Sequence, residues 1–194
     1  MNAIDTLLTI QVHLEDGQTV SFAQTHPQAV RTLIDHLQPT KLFTQHHIAI
    51  GGVHSLTAFP CARIVQVDFI APNLPQWPHF HGVHTLVEIT EEQFRERYQP
   101  ESYDRLTPGE VSIVYSEIEL INGKRHFVEV TAELESRMPQ EQNIFLQQLL
   151  SGGGLHITRS EVGLIVVNPI HIVRISLYPG RQALPPNAWV AEPI

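Results

Sequence analysis

The densest run of chemistry-bearing side chains in this chain is His79-Phe80-His81-Gly82-Val83-His84, introduced by Trp77-Pro78. In an extended segment, residues two apart point to the same side, so His79 and His81 can present both imidazoles together. Gly82 lets the chain bend and bring His84 to them. Three neutral imidazoles suit zinc or another transition metal such as copper, nickel or iron, with Glu88 or a water as a further ligand. Three protein ligands beside an open position are what a metal-dependent hydrolase needs. His-x-His is a loose motif in a chain with 12 histidines. The same residues suit better a solvent-facing loop in which they stack on Trp77 and Phe80.

Other candidates carry less. His46-His47 with His54 flank Gly51-Gly52, but neighbours in a strand face opposite ways and cannot share one metal there. Cys61 stands at the entrance to an apolar run, where a small buried thiol is expected to be inert. Gly152-Gly153-Gly154 has no following Lys-Ser or Lys-Thr and ends a helix pattern, so it is no phosphate loop. There is no Gly-x-Ser-x-Gly elbow. The acidic pairs Glu91-Glu92 and Glu117/Glu119 read as solvent-facing or as complements to a helix dipole. Lys124-Arg125-His126 reads as a small basic spot on a turn. No residue is assigned a catalytic role.

The charge balance narrows the partners. Across 194 residues, 12 Lys+Arg against 20 Asp+Glu give a formal net charge of −8. A general nucleic-acid binder carries the opposite sign, because phosphate neutralisation dominates its affinity. No apolar run approaches the roughly 18 residues of a membrane span. The start, Met1-Asn2-Ala3-Ile4-Asp5, lacks the features of a signal peptide. A single cysteine leaves no internal disulfide framework. These features point to a soluble, cytoplasmic, acidic protein with no nucleic-acid or membrane partner. With 12 histidines, its charge becomes less negative in mild acid.

The elements that position these residues follow a repeated order. Ile10, Val12 and Leu14 alternate with polar residues, Glu15-Asp16-Gly17 turns the chain, and Val20 and Phe22 alternate again. A three-residue loop pairs Val12 with Val20 and Ile10 with Phe22, with Gly17 left-handed. Ile118 and Leu120, then Asn122-Gly123, then Phe127, Val128 and Val130 repeat the pattern. A helix follows each hairpin. Thr25-x-x-Gln28 reads as a capping box with Pro27 in the first turn, ahead of the stripe Val30, Leu33, Ile34 and Leu37. The second helix has Ser136, Pro139, Ile144, Phe145, Leu146, Leu149 and Leu150, and is ended by the glycines, which reach left-handed backbone freely. Short strands at 48–50 and 155–157 lead to closing strands at 62–69 and 170–177.

The expected fold is therefore α+β. It consists of two tandem ββαββ-like units with mainly antiparallel strands and one helix each, joined by a Pro/His-rich insert. The first unit spans 1–70, the insert 71–109, the second unit 110–180, and an extended Pro-rich tail 181–194. The insert carries a strand from Val83 to Ile89 and a helix opened by the capping box Thr90-x-x-Gln93. Trp189 in the tail is expected to dock on the body. The leading functional expectation is a non-enzymatic binding module that meets a protein partner or itself. The alternatives are a metal-binding protein or metal-dependent hydrolase using His79, His81, His84 and Glu88, and a small-ligand binder in the cleft between the two units.

Overall fold

The computed structural model describes residues 7–52, 54–98, 110–133, 147–160, 162–178, 189 and 191. Among them lie strands β1 (Leu8–Leu14), β2 (Thr19–Gln24), β3 (His47–Gly51), β4 (Leu56–Pro60), β5 (Ile64–Ile70) and β6 (Val83–Ile89). Strands β7 (Val111–Leu120), β8 (Arg125–Glu133), β9 (Leu155–Arg159), β10 (Leu164–Val167) and β11 (Ile172–Tyr178) follow. Two helices are α1 (Pro27–His36) and α2 (Glu91–Arg97), and residues 147–151 are helical. The protein is mixed α+β with mostly antiparallel strands and few helices.

Turn chemistry sets the hairpins. Val12 pairs with Val20 and Ile10 with Phe22, as the alternation requires. Gly17 has φ 85° and Gly123 φ 81°, a region that strains any residue with a Cβ. Thr90 caps α2 in a full capping box with Gln93. The Thr25 box does not form. His26 is the N-cap of α1, with no side-chain cap, because the chain turns helical one residue later with Pro27 in the first turn.

Nine strands form one sheet in the order β11-β7-β8-β6-β9-β10-β5-β1-β2, while β3 and β4 pair apart from it. All these pairings are antiparallel except that of β6 with β9. The strand of the insert, β6, thus sits inside the sheet. Register assigns the faces. Ile10, Val12, Val67, Phe69, Leu164 and Val166 share one face, with α1 side chains, Phe59 and Trp77 packed against it. The opposite face carries Ile118, Val128, Val130, Leu86, Ile157, Ile165 and Val167. Four strand spacings separate β8 from β5, about 19 Å in a flat sheet. Yet His126 on β8 and Gln66 on β5 touch at 2.7 Å. The sheet therefore curls until this second face becomes an interior, with Leu149 of the helical residues packed into it.

The Gly152–Gly154 stretch has a different reason from the one its position suggests. None of the three is left-handed. A Cβ on Gly154 would lie 2.1 Å from the Pro39 carbonyl oxygen, and one on Gly153 2.3 Å from Thr44 Cγ2. These glycines let two backbones meet, and Phe43 N–H donates to Gly153 O at 2.7 Å. Trp189 does not dock: it is 95% exposed. Ser136, Pro139, Ile144, Phe145 and Leu146, and the tail prolines, lie outside the described residues.

Candidate functional site

Polar side chains from five strands meet inside the curl. Residues 65–69 alternate valine and phenylalanine with Gln66 and Asp68, which in an open sheet would give a wet face. Because the sheet closes, Gln66 and Asp68 are both 0% exposed. His13 on β1 pairs with Gln66 in register, and Gln11 with Asp68, which places His13 diagonally beside the Asp68 carboxylate. Glu88 on β6 and Arg159 on β9 are direct partners in the parallel ladder.

The hydrogen bonds determine where the protons are. Asp68 Oδ2 accepts from His13 Nε2 at 3.0 Å and from Arg159 at 2.8 Å, and its Oδ1 accepts from the Gln66 amide. With the Gln66 amide nitrogen turned to Asp68, its oxygen faces His126, so His126 Nε2 donates at 2.7 Å. His126 Nδ1 lies 2.7 Å from Glu88 Oε1, and a further proton must occupy that line. Arg159 Nε stands 3.5 Å from Glu88 Oε2, closing the circuit. Two carboxylates, one guanidinium and one shared proton balance, which is how a buried ionic group persists. Among the described residues, the single buried side-chain polar atom without a partner is Ser116 Oγ.

Electrostatics follow the geometry. Burial pushes Asp68 upward, but His13, Gln66 and Arg159 together hold its carboxyl below the usual range. Burial likewise raises Glu88, and the hydrogen bond and charge of His126 with the charge of Arg159 bring it net downward. Lys124, half-buried at the β7–β8 turn, is lowered chiefly by desolvation, with Asp68 and Glu88 opposing that. Lys124-Arg125-His126 is thus no surface basic spot: His126 is 1% exposed, because alternate residues of β8 point inward.

Glu88 and Arg159 also line a cleft of about 690 Å³, with Ile70, Ile89, Phe127 and Val162 as apolar walls and Arg125 and Glu91 at the rim. The buried circuit reaches the surface there.

The histidine run is arranged otherwise. His79 stacks on His156, ring centroids 4.1 Å apart and 6° from parallel. His156 Nε2 donates to the Trp77 carbonyl at 3.2 Å, and the Trp77 indole donates to Leu37 O. Burial, and then the neighbouring His156, lower His79 to about 4. His84 lies 3.7 Å from Glu133, and Glu88 is engaged by His126 and Arg159. Val83, opposite Ala132, and Thr85, opposite Thr131, enclose a register shift at His84. Among the described residues, no three His, Cys, Asp or Glu side chains are grouped so that they could hold a metal ion. Cys61 is buried, and burial raises its thiol, which leaves little thiolate.

No helix among the described residues is long and apolar enough to cross a membrane. Comparison of the chain with protein-family models, with curated proteins and with solved structures returned no match.

Proposed function

We propose that the chain is a small-molecule binding protein and that its ligand enters the cleft over Glu88 and Arg159. One observation carries this reading: a charge-balanced circuit, buried at Asp68, Gln66 and His126, comes to the surface at Glu88 and Arg159 in a cleft with apolar walls. Ligand sites combine apolar lining with a few convergent polar groups whose ionisation is shifted, and this cleft has both. A carboxylate and a guanidinium side by side suit a ligand that offers both a donor and an acceptor. Ile70, Phe127 and Val162 suit an apolar body.

The test is two-dimensional NMR of the full chain titrated with amino acids, small organic acids and nucleosides. A ligand of this site shifts amides of residues 87–91, 125–127, 159, 160, 162 and 163 together, and loses affinity at least tenfold in Phe127→Ala. If no compound perturbs these amides at millimolar concentration, the reading fails.

A second reading, a module that meets a protein partner or itself, rests on the β11 edge of the sheet. Ile121, Ile170 and Val173 are 57%, 69% and 63% exposed there, and the Ile121 N–H donates to His171 O, which keeps the three together. Open strand edges accept partner strands. The strand order supports an internal duplication. In β2-β1-β5 and in β8-β7-β11, the first strand of a hairpin pairs with the strand that closes the unit. Each closing strand follows a 3₁₀ turn, Cys61–Arg63 or Pro169–His171. We read the chain as two such units, residues 1–70 and 110–180, around the insert.

A further inference from the structure

We propose that Thr19 is a nucleophile, its hydroxyl activated by His13 and the buried Asp68, and that it accepts acyl or phosphonyl groups from activated esters. The inference shares Asp68 with the circuit beneath the cleft but does not depend on a ligand binding there. It rests on a hydroxyl, an imidazole and a carboxylate held in series at one end of the first hairpin.

Thr19 Oγ1 lies 2.9 Å from His13 Nδ1, and His13 Nε2 lies 3.0 Å from Asp68 Oδ2. Asp68 is 0% exposed and receives a guanidinium and an amide besides, so it is a carboxylate and can only accept. His13 Nε2 must therefore carry the proton. In the neutral ring Nδ1 is then a bare lone pair, and the Thr19 hydroxyl hydrogen must point at it. That is the starting arrangement for a hydroxyl nucleophile: a base on its proton, and a carboxylate fixing the tautomer of the base. Burial tends to raise Asp68, but its partners hold it ionised, in keeping with this role.

Local structure makes the arrangement rigid. The Gln18 N–H donates to Asp16 Oδ1, and Gly17 at φ 85° fixes the turn. Leu14 N–H donates to Gln18 O, so the next pair along, His13 and Thr19, is of the kind without ladder hydrogen bonds, whose side chains lie closest. Thr19 itself is exposed, so a reagent can reach it.

The covalent step balances. Thr19 Oγ attacks the phosphorus of a fluorophosphonate, the O–P bond forms, and the P–F bond breaks with its electron pair leaving as fluoride. The hydroxyl proton passes to His13 Nδ1, and Asp68 stabilises the imidazolium. With an ester, Oγ adds to the carbonyl carbon, and the leaving alkoxide takes the same proton from Nδ1.

The experiment incubates the full chain with an ethyl fluorophosphonate and follows intact mass, with peptide mapping to locate the adduct. One phosphonyl group on Thr19 is expected. Thr19→Val should abolish it and Thr19→Ser should keep it. His13→Gln, with its fold verified by an unchanged thermal melt, should slow it at least about tenfold, since a positioned base contributes roughly 10²–10⁴-fold. The absence of label on Thr19 in the native protein overturns the proposal. So does a labelling rate unchanged in His13→Gln or, should that variant melt lower, a Thr19→Ser protein that is not labelled.

Discussion

The interior of the curled sheet has two parts built from the same strands. Along β5, β8 and β9, Val65, Val128 and Ile157 enter a dry apolar cluster, while Gln66, His126 and Arg159 enter the charged circuit. The apolar part is what the hydrophobic effect alone would select, at about 25 cal/mol per Å² removed from water. The charged part is not. Replacing a buried ion pair by well-packed apolar residues is often neutral or stabilising, so stability alone gives no reason for Asp68, Glu88 and Arg159. Two further facts separate the parts. The charged one reaches a cleft through Glu88 and Arg159 and an exposed hydroxyl through His13, whereas no residue of the buried apolar cluster lines that cleft.

The comparison is broken most severely by leaving one buried charge alone. Arg159→Ala strips Asp68 of its guanidinium and should cost about 3–5 kcal/mol in urea unfolding. A smaller loss would mean that water already screens the circuit. In the apolar part, Ile157, 0% exposed, gives a reference: Ile157→Ala should cost about 3 kcal/mol with no change in ligand or reagent response.

Acid distinguishes the parts differently. The unfolded chain protonates His79 from about pH 6.5 downward, the folded one only at about 4. Stability is therefore whole above that window and lost as pH falls through it, by about 1–2 kcal/mol for this half-buried ring. His156 is lowered too and acts in the same sense. Melts from pH 7 to 4 should show the loss, and His79→Phe should flatten it. Asp68, whose carboxyl is lowered, adds a further loss once pH falls below the usual carboxylate range. The smallest effect lies outside both parts: Thr90→Ala removes the α2 cap and should cost about 1 kcal/mol by thermal denaturation, leaving the interior intact.

What could be read in the sequence was local. Glu15-Asp16-Gly17 and Thr90-x-x-Gln93 each complete their geometry within a few residues, so pattern and structure agree there. Thr25-x-x-Gln28 has the same pattern, but Pro27 takes the first turn and the cap passes to His26. Strands β4 and β10 are brief, and their residue types show no apolar–polar alternation. Leu164-Ile165-Val166-Val167 is buried on both faces and offers no period to detect. The charged circuit was hidden for another reason. Its members come from β1, β5, β6, β8 and β9, and the Gln66/Asp68 alternation reads as a wet face until the curl is known. The one available signal was composition: two polar residues embedded in the otherwise apolar stretch Ile64–Ile70.

The strand order also sets a schedule for the nascent chain. Strand β5 lies between β1, made before it, and β10, made long after. Asp68 and the guanidinium that neutralises it are 91 residues apart. At translation rates of about 5–20 residues per second, β5 waits roughly 5–20 s with one edge unpaired and Asp68 without its guanidinium. During that interval the edge of β5 that β10 takes in the finished sheet is open to a chaperone or to a neighbouring nascent chain.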